Sequence, residues 1–516
     1  MFVGVDVGGT NTDAVLMDGA QLVNAVKLPT TGDVTSGIIS ALTALLARLP
    51  AGARVDAVMV GTTHFTNALL EQRNLSPTAV VRLALPATQL LPPAVDWPAE
   101  LEAALGGHTY MVGGGHEFDG REIAPLDRGE LRRVAADMRS EGVTAVAVSG
   151  VFSPVNAAHE REAAAIIREE SPEVRICLSH ENGRMGLLER ENAAALNAAL
   201  GRLAEEVIES IKEALESLDV DAPLYVSQND GTLMDAEFAA RFPAFAISSG
   251  PTNSMRGAAW LSGVRDGIVV DVGGTSTDVG ALVNGFPREA AVAVELAGVR
   301  TNFRMPDMVS IPLGGGTVVR TEPFGMGPES VGYRLTEEAL VFGGSTLTAT
   351  DLAAADGRAI VGNPQLVEGL DPSLVRLGMS EVTSRVETAI DQVKLTYEDV
   401  PVILAGGGSI LLNNTLRGAS QVLRPEHAGM ANAIGAAIAQ VGGQVERVYS
   451  LEEVSREEAI ANCSAAAKAR AAAAGAEPSS IEVVDIDEVP LTYVPSSATR
   501  VRVKAVGNLA QRQQAS

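Results

Sequence analysis

The chain has little cysteine, little positive charge and no long apolar run. Its two cysteines, Cys177 and Cys463, lie far apart in sequence, which excludes a disulfide framework and a cysteine-rich zinc module. We expect both to be buried free thiols in a reducing compartment. No apolar run approaches the ~20 residues that cross a bilayer. The opening residues 2–5 read as a strand, not a signal peptide. These features predict a cytoplasmic protein.

The charge balance excludes two classes of partner. The chain has 39 Lys and Arg against 64 Asp and Glu, a formal net charge of −25 at pH 7. Nucleic-acid binding depends on Lys and Arg that neutralise phosphates, and anionic lipid surfaces attract basic segments. We therefore expect no nucleic-acid partner and no membrane partner.

The length and the pattern of apolar runs predict a two-lobed α/β protein. Single cores stop growing at about 250–300 residues, and this chain has 516. Short β-rich runs alternate with helical stretches, the longest from about 185 to 218. We expect a first lobe over residues 1–186, a second ATP-binding lobe with its linking helix over 187–449, and a small α/β appendix over 450–516. The expected strands are 1–7, 57–60, 144–148, 224–226, 267–272 and 402–404.

One motif occurs twice. Residues 6–13 read DVGGTNTD and residues 271–278 read DVGGTSTD, each directly after an apolar run. An Asp at a strand end can hold Mg²⁺ through water, and two glycines bring backbone N–H groups close to phosphate oxygens. We assign Mg²⁺ and catalysis to Asp6 and Asp271. The residues expected to bind the phosphates of ATP are Gly8, Gly9, Thr10, Thr12, Asp13, Gly273, Gly274, Thr275, Thr277 and Asp278.

A third glycine-rich segment completes the nucleotide site. The strand that ends at Ala405 leads into Gly406, Gly407, Gly408 and Ser409, where adenine or ribose could approach the backbone. The small-residue run 431–437 predicts a closely packed helix between the lobes. Neither G-x-G-x-x-G nor a P-loop is present at the first loop, which excludes a Rossmann dehydrogenase and a P-loop NTPase. The motifs together predict a ribonuclease H-like fold of the acetate and sugar kinase/Hsp70/actin type.

Beyond these loops, residues 1 to about 440 resemble the ATP-binding subunits of the hydantoinase/oxoprolinase family. The similar stretches are GTTHFTNALLE at 61–71, LEREN with LNA at 188–198, SGP at 249–251, IPLGGGT at 311–317, and FGGS with TATD at 342–351. The resemblance implies ATP-dependent hydrolysis of a cyclic amide such as a hydantoin, 5-oxoproline or a lactam. It also implies phosphorylation of the amide oxygen and a separate hydrolytic subunit. The oligomeric state, a homo-oligomer included, is left open.

The substrate-side residues follow from the first two of these stretches. We assign catalysis to Thr62, Thr63 and Asn67, although capping of a helix N-terminus explains the threonines almost equally well. His64 and Glu189 are expected on the substrate side, with a packed or capping histidine as the alternative for His64.

Two other polar segments are expected to be largely solvated. Residues 115–122 are expected to form a solvated hairpin. Residues 189–192 occupy one helical turn and cannot all face a cleft, so we expect one or two of them to face it and the rest to be solvated.

Two other functions share the same loops. A small-molecule kinase would need a general base near the acceptor hydroxyl, and the sequence places none. A non-catalytic actin-like or reactivating ATPase is the second alternative, and the sequence does not exclude it.

Overall fold

The computed structural model describes residues 1–8, 10–30, 34–49, 52–290, 293–491 and 498–510, with the backbone alone for 34 and 35. Its strands are β1 Phe2–Val7, β2 Asn11–Asp18, β3 Gln21–Pro29, β4 Ala57–Gly61, β5 Thr78–Leu85, β6 Thr109–Gly113, β7 Ala145–Gly150, β8 Arg175–Leu178, β9 Leu224–Ser227, β10 Thr232–Asp235, β11 Gly267–Val272, β12 Thr277–Val283, β13 Phe286–Pro287, β14 Val294–Leu296, β15 Val299–Thr301, β16 Met308–Ile311, β17 Thr317–Thr321, β18 Phe324–Ser330, β19 Val400–Ala405, β20 Ala419–Leu423, β21 Gln440–Ser450, β22 Glu482–Pro490 and β23 Ala498–Gly507.

The helices are α1 Val34–Leu46, α2 His64–Glu71, α3 Ala99–Leu105, α4 Arg128–Ser140, α5 Ala158–Glu170, α6 Ser179–Asn182, α7 Leu187–Ser217, α8 Ala236–Arg241, α9 Ser249–Ser262, α10 Leu335–Glu338, α11 Ala349–Ala355, α12 Pro372–Val393, α13 Ala431–Ala437 and α14 Arg456–Ala473. Several begin at a side-chain cap. Asp127 accepts the backbone N–H of Glu130 at the start of α4, and Asp371 caps α12 ahead of Pro372. No helix of the described ranges is long and apolar enough to cross a membrane.

Two sheets contain the same three-strand arrangement. In the nine-stranded sheet, β1 lies between antiparallel β2 and parallel β4. In the six-stranded sheet, β11 lies in the same way between β12 and β19. The register is also repeated, because Asp6 faces Asp13 and Asp271 faces Asp278. This arrangement confirms the predicted α/β fold with a duplicated loop. The six predicted strands and the long helix are all present.

A smaller parallel sheet, in the order β6-β5-β7-β8, lies within the first half of the chain. Helix α7 packs across it with an alanine-rich face, in which Ala194, Ala195 and Ala198 touch Val80 and Cys177. Small side chains let the helix lie close to the sheet. Both cysteines are free and buried, as predicted.

The segment after residue 450 extends the first sheet. Strands β22 and β23 join it through β21, and β21 pairs in parallel with β10. The segment does contain the expected helix and strands, but its strands continue the sheet that carries β1. The proposed boundaries near residues 186 and 449 stay predictions.

Helices α9 and α13 cross in backbone contact. A Cβ atom on Gly257 would lie 1.9 Å from the Ala431 carbonyl oxygen, and one on Gly435 would lie 1.8 Å from the Asn253 carbonyl oxygen. Backbone atoms cannot give way as a flexible side chain would. The contact therefore requires glycine on both helices, which agrees with the predicted close packing of 431–437.

The crossing predicts a difference between two glycines of α9. Gly257→Ala should destabilise the protein by about 1–3 kcal/mol, because the methyl group forces the two helices apart. Gly250→Ala, where nothing lies within 4 Å of the added Cβ, is the matched control and should be nearly neutral. Thermal unfolding of both variants by calorimetry tests this. Equal melting temperatures would contradict the close crossing.

Candidate functional site

The two repeated motifs form the same turn. The Gly8 N–H donates to the Asn11 carbonyl at 2.9 Å, and the Gly273 N–H donates to the Ser276 carbonyl at 2.9 Å. In the first loop, the Thr30 hydroxyl also donates to the Gly8 carbonyl at 2.8 Å. Gly9 lies outside the described residues, so its assignment to phosphate stays a prediction. Among the described residues, the two loops share the same strand register and the same turn hydrogen bond.

The two loops touch each other. A Cβ atom on Gly274 would lie 2.0 Å from the Thr10 hydroxyl oxygen, so only glycine permits this approach. That hydroxyl is buried and has no hydrogen-bond partner among the described residues. A buried unpaired hydroxyl costs free energy unless a bound group supplies an acceptor. The meeting point of the loops thus has a donor available for an anion such as phosphate.

A glycine triplet supports the second loop. The Gly315 N–H donates to the Gly273 carbonyl at 3.0 Å, and the Gly316 N–H donates to the Gly274 carbonyl at 2.7 Å. The Thr277 hydroxyl donates to the Leu313 carbonyl at 2.5 Å, so the triplet is held at the start of β12 as well. The sequence pattern gave the triplet as part of the family resemblance but did not indicate this supporting role.

The third glycine-rich segment packs on the same loop. Gly406 has a φ of +77°, and a Cβ there would lie 2.3 Å from the Asp271 carboxylate. A Cβ on Gly408 would lie 2.6 Å from the Gly273 carbonyl oxygen, whereas Gly407 has open space beside it. Ser409 accepts a hydrogen bond from Arg424 at 3.1 Å. The segment adjoins Asp271, while its contact with adenine or ribose stays a prediction.

Asp6 joins the first strand to the crossing helices. Its side chain is 2% exposed, and it accepts hydrogen bonds from the Asn253 and Asn432 amides, each at 3.2 Å. Asn253 belongs to α9 and Asn432 to α13. Sequence reasoning named neither as a site residue. The only local signals were their positions two residues after Pro251 and in the small-residue run 431–437.

The carboxylates of both motifs are held in surroundings that disfavour their charge. Burial raises the pKa of Asp6 to about 6, although the Asn253 and Asn432 hydrogen bonds oppose the shift and the charges of Asp13 and Asp271 add to it. Burial likewise raises the pKa of Asp271, and it raises the pKa of Asp278 to about 7. Burial also raises the pKa of Asp13, against the ion pair with Lys27 at 2.6 Å.

These carboxylates fit a divalent cation that is bound together with phosphate. The described residues contain no group of three or more His, Cys, Asp or Glu side chains that could hold a metal ion. Mg²⁺ is usually held by one or two carboxylates together with phosphate oxygens and water. Asp6 and Asp271 provide such oxygens, and a cation beside them would offset the burial and the charge repulsion that raise their pKa.

The predicted substrate-side stretch begins next to Asp6. Gly61 pairs with Asp6 across β1 and β4, so Thr62 comes directly after it at the same sheet edge. The Thr62 hydroxyl lies 2.5 Å from His64 Nδ1 and accepts the His64 backbone N–H at 3.2 Å. Thr63 is the N-cap of α2 without a side-chain cap bond, and Asn67 is exposed in its first turn. The catalytic and substrate assignments stay predictions, and Thr62 also has a capping contact.

Glu189 is half-buried in the first turn of α7. It pairs with Arg300 at 3.1 Å, and its assignment to substrate stays a prediction. The expectation that the rest of its helical turn is solvated is wrong. Arg190 and Glu191 are 0% and 1% exposed, because Glu191 pairs with buried Arg82 at 2.5 Å and Arg190 donates to Ser179 at 2.9 Å.

The expected solvated hairpin at 115–122 is also wrong in part. His116 is 2% exposed, and its ring lies 4.3 Å from that of His159. His159 in turn lies 3.2 Å from Glu122 and accepts the Gly115 N–H at 3.0 Å. The hairpin is therefore folded onto α5, which supplies partners that no local pattern could indicate.

Two lobes that each bring a strand–Asp–turn–strand loop to one point define the acetate and sugar kinase/Hsp70/actin-like class of fold. The chain matches the hydantoinase/oxoprolinase N-terminal region over residues 2–171 and hydantoinase/oxoprolinase over residues 190–362. It belongs to the hydantoinase/oxoprolinase family.

Several curated proteins are similar in sequence. Caprolactamase subunit alpha from Pseudomonas jessenii is 30% identical over 69% of this chain and 54% of that protein. An acetophenone carboxylase gamma subunit from Aromatoleum aromaticum is 27% identical over 68% of this chain and 52% of that protein. An uncharacterised protein from Methanocaldococcus jannaschii is 25% identical over 82% and 65% respectively. The chain thus spans between half and two thirds of the length of these relatives.

Two solved structures share the fold. The ATP-dependent caprolactamase from Pseudomonas jessenii superposes with a TM-score of 0.77 at 22% identity. The nucleotide-free acetone carboxylase superposes with a TM-score of 0.72 at 17% identity. Each match covers 99% of this chain and 88% of the other.

The contact between the loops predicts the effect of one methyl group. Gly274→Ala should weaken the affinity for ADP with Mg²⁺ by about tenfold or more, because the methyl group forces the loops apart and a hydrogen bond to a charged group contributes about 1.5–3 kcal/mol. Gly369→Ala, with open space around its Cβ, is the control in the same half of the chain. Titration calorimetry measures both affinities. Unchanged binding in Gly274→Ala would show that the loops do not act together.

The raised pKa of Asp6 predicts a pH dependence of stability. An aspartate titrates near pH 4 in an unfolded chain, whereas Asp6 has a pKa of about 6 in the folded protein. Protonation of Asp6 therefore stabilises the folded state at low pH, and this stabilisation is lost as pH rises through the folded pKa. Without metal, the melting temperature should therefore rise when pH falls from 7 to 5. Asp6→Asn should reduce this rise, while Asp18→Asn on the exposed end of β2 should not. The same rise in both variants would contradict the assignment.

Proposed function

We propose that this chain binds ATP between its two repeated loops and transfers the γ-phosphoryl group to the oxygen of a cyclic amide. The observation that carries the proposal is the contact of the loops at Thr10 and Gly274, beside carboxylates whose charge is disfavoured. Family membership and the likeness to a caprolactamase subunit support a cyclic amide as the substrate.

The chain's own residues would mainly bind and orient the nucleotide. The backbone N–H groups after Gly8 and Gly273, with the hydroxyls of Thr10 and Thr275, would hold the phosphates. Asp6 and Asp271 would hold Mg²⁺ through water, and the cation would neutralise charge on the phosphates. Residues 406–409 would lie against the adenine or ribose.

The reaction balances with one ATP and two water molecules. The amide oxygen attacks the γ-phosphorus, the bond from phosphorus to ADP breaks, and an imidate phosphate forms. Water adds to the activated carbon, and the ring nitrogen leaves with a proton to give an acyl phosphate. A second water releases phosphate and leaves a ring-opened amino acid. Amides are poor electrophiles, which is why phosphorylation precedes attack by water.

Thr62, Thr63, His64 and Asn67 are proposed to face the amide, because their segment begins at the sheet edge beside Asp6. We place Glu189 on the substrate side on family resemblance alone. The hydrolytic steps are proposed to need a second subunit, in keeping with relatives that are named as subunits.

A substrate panel tests the proposal. ADP and phosphate release are measured with a hydantoin, 5-oxoproline, caprolactam and glucose, with and without the product of a neighbouring gene. We expect release with a cyclic amide and Mg²⁺, and at least about 100-fold less in Asp271→Asn, which loses the carboxylate beside the phosphates. Asp266→Asn, just before β11, is the matched control and should keep full activity.

Two results would contradict the proposal. Stimulation by glucose alone would indicate a small-molecule kinase. Wild-type turnover in Asp271→Asn would remove the role of the repeated loops.

A further inference from the structure

A second cavity, of about 410 Å³, lies apart from the nucleotide loops. It is bounded by the turn after α6, by β10, β21 and β23, by α14, and by the segment after β15. None of its lining residues belongs to 6–13, 271–278 or 406–409. Its volume is in the range of small-molecule sites. We call it the β21 cavity.

The lining contains buried amide groups without partners. Gln444 on β21 is 8% exposed, and neither its amide nitrogen nor its amide oxygen has a hydrogen-bond partner in the described part of the chain. The same holds for both amide atoms of Asn302. The side-chain oxygen of Asn182, a residue 6% exposed, is also unpaired. Native structures leave few such groups unpaired, so three beside one cavity favour a polar ligand that pairs with them.

The acidic residues of the lining are already engaged. Glu181 pairs with Arg241 at 2.6 Å, and Asp235 caps α8 through the Phe238 N–H at 2.8 Å. Asp230 pairs with Lys504 at 3.0 Å. Burial alone would raise the pKa of Asp230, but the charge of Lys504, a Thr232 hydrogen bond and the charge of Arg304 together outweigh it and hold that pKa at about 2. None of the three carboxylates is left to balance a further cation.

One cation of the lining lacks such a partner. Arg184 pairs with Glu289 at 2.9 Å, and Arg470 donates to the Gln444 carbonyl at 2.6 Å. Arg304 makes no hydrogen bond or ion pair with a described residue, although its charge acts on the carboxylates of Asp230 and Glu289. Burial and the nearby Arg304 charge both lower the pKa of Arg184, so the two guanidinium groups repel each other, and Glu289 opposes this effect. A ligand carboxylate beside both guanidinium groups would reduce that repulsion further.

The mixture of unpaired donors and acceptors selects the class of ligand. A sulfate ion offers only acceptors, and a hydrogenphosphate ion has at most two O–H donors, so neither can satisfy all three amide oxygens of Asn182, Asn302 and Gln444. A ligand with a carboxylate and N–H donors satisfies both sets. We propose that the β21 cavity binds a small amino acid, with its carboxylate at Arg304 and Arg184 and its N–H groups at the amides.

The proposal concerns binding and does not depend on the reaction proposed above. If that reaction holds, its ring-opened product belongs to the same class. A reaction product and an unrelated amino acid would make the same contacts in the cavity. Their binding must therefore be compared directly to show which of them is the ligand.

The test is the thermal stability of the full chain without ATP or Mg²⁺. The probes are glycine, L-glutamate and 6-aminohexanoate at millimolar concentration, with inorganic phosphate and methylamine as single-group controls. At least one amino acid should raise the melting temperature, and neither control should do so to the same degree. The most effective probe identifies the source, since 6-aminohexanoate is a ring-opened lactam. No shift with any amino acid, or an equal shift with phosphate, would overturn the proposal.

Variants separate binding from a structural role. Arg304→Gln should weaken the amino-acid affinity by about tenfold or more, since a charge-assisted bond is lost. Arg132→Gln, an exposed arginine on α4, is the matched control and should keep the wild-type response. Gln444→Leu should lose the response, yet melt no lower than wild type, because an unpaired buried amide is removed. A full response in Arg304→Gln, or a marked loss of stability in Gln444→Leu, would refute the site.

Discussion

Two carboxylates, Asp6 and Asp271, end the central strands of two sheets where little water reaches them. A charge so placed is unfavourable unless hydrogen bonds or a cation compensate it. For Asp6 the compensation comes from amides on α9 and α13, the two helices that cross in backbone contact. The glycines at that crossing let the two helices approach closely, which brings both asparagine amides within hydrogen-bond distance of Asp6. These hydrogen bonds do not fully offset the cost of burying the carboxylate, so the site favours a cation as its ligand.

The duplication gives the site its symmetry, and each half is supported differently. Thr30, which follows β3, holds the first loop, whereas the triplet 314–316 and the segment 406–408 hold the second. Apart from the Thr30 hydroxyl, these supports come from backbone groups or from glycines, of which Gly406 and Gly408 admit no side chain. Such a site can hold phosphate with little rearrangement, which is how preorganised donors stabilise phosphoryl transfer.

The sequence predicted the features that depend on local pattern. The repeated loops, the six strands and the 31-residue helix α7 follow from apolar runs, glycines and helix-forming residues close together in the chain. The asparagine partners of Asp6 could not be predicted, because they lie 247 and 426 residues away. Burial of Glu191 depends in the same way on Arg82, a residue of a distant strand, and burial of Arg190 depends on Ser179 and on the Gly150 carbonyl. The pairing of β21 with β10, which draws the last strands into the first sheet, is equally non-local.

The β21 cavity differs from the nucleotide site in its chemistry. One site gathers carboxylates that need a cation, and the other gathers guanidinium and amide groups that need a carboxylate and N–H donors. The central claim concerns the first site. It is tested most directly by a crystal structure of the chain with Mg²⁺ and a non-hydrolysable ATP analogue. The account predicts phosphates between the two loops, with the Thr10 hydroxyl on a phosphate oxygen and Mg²⁺ near Asp6 and Asp271. A nucleotide bound elsewhere, or phosphates without contact to both loops, would contradict it.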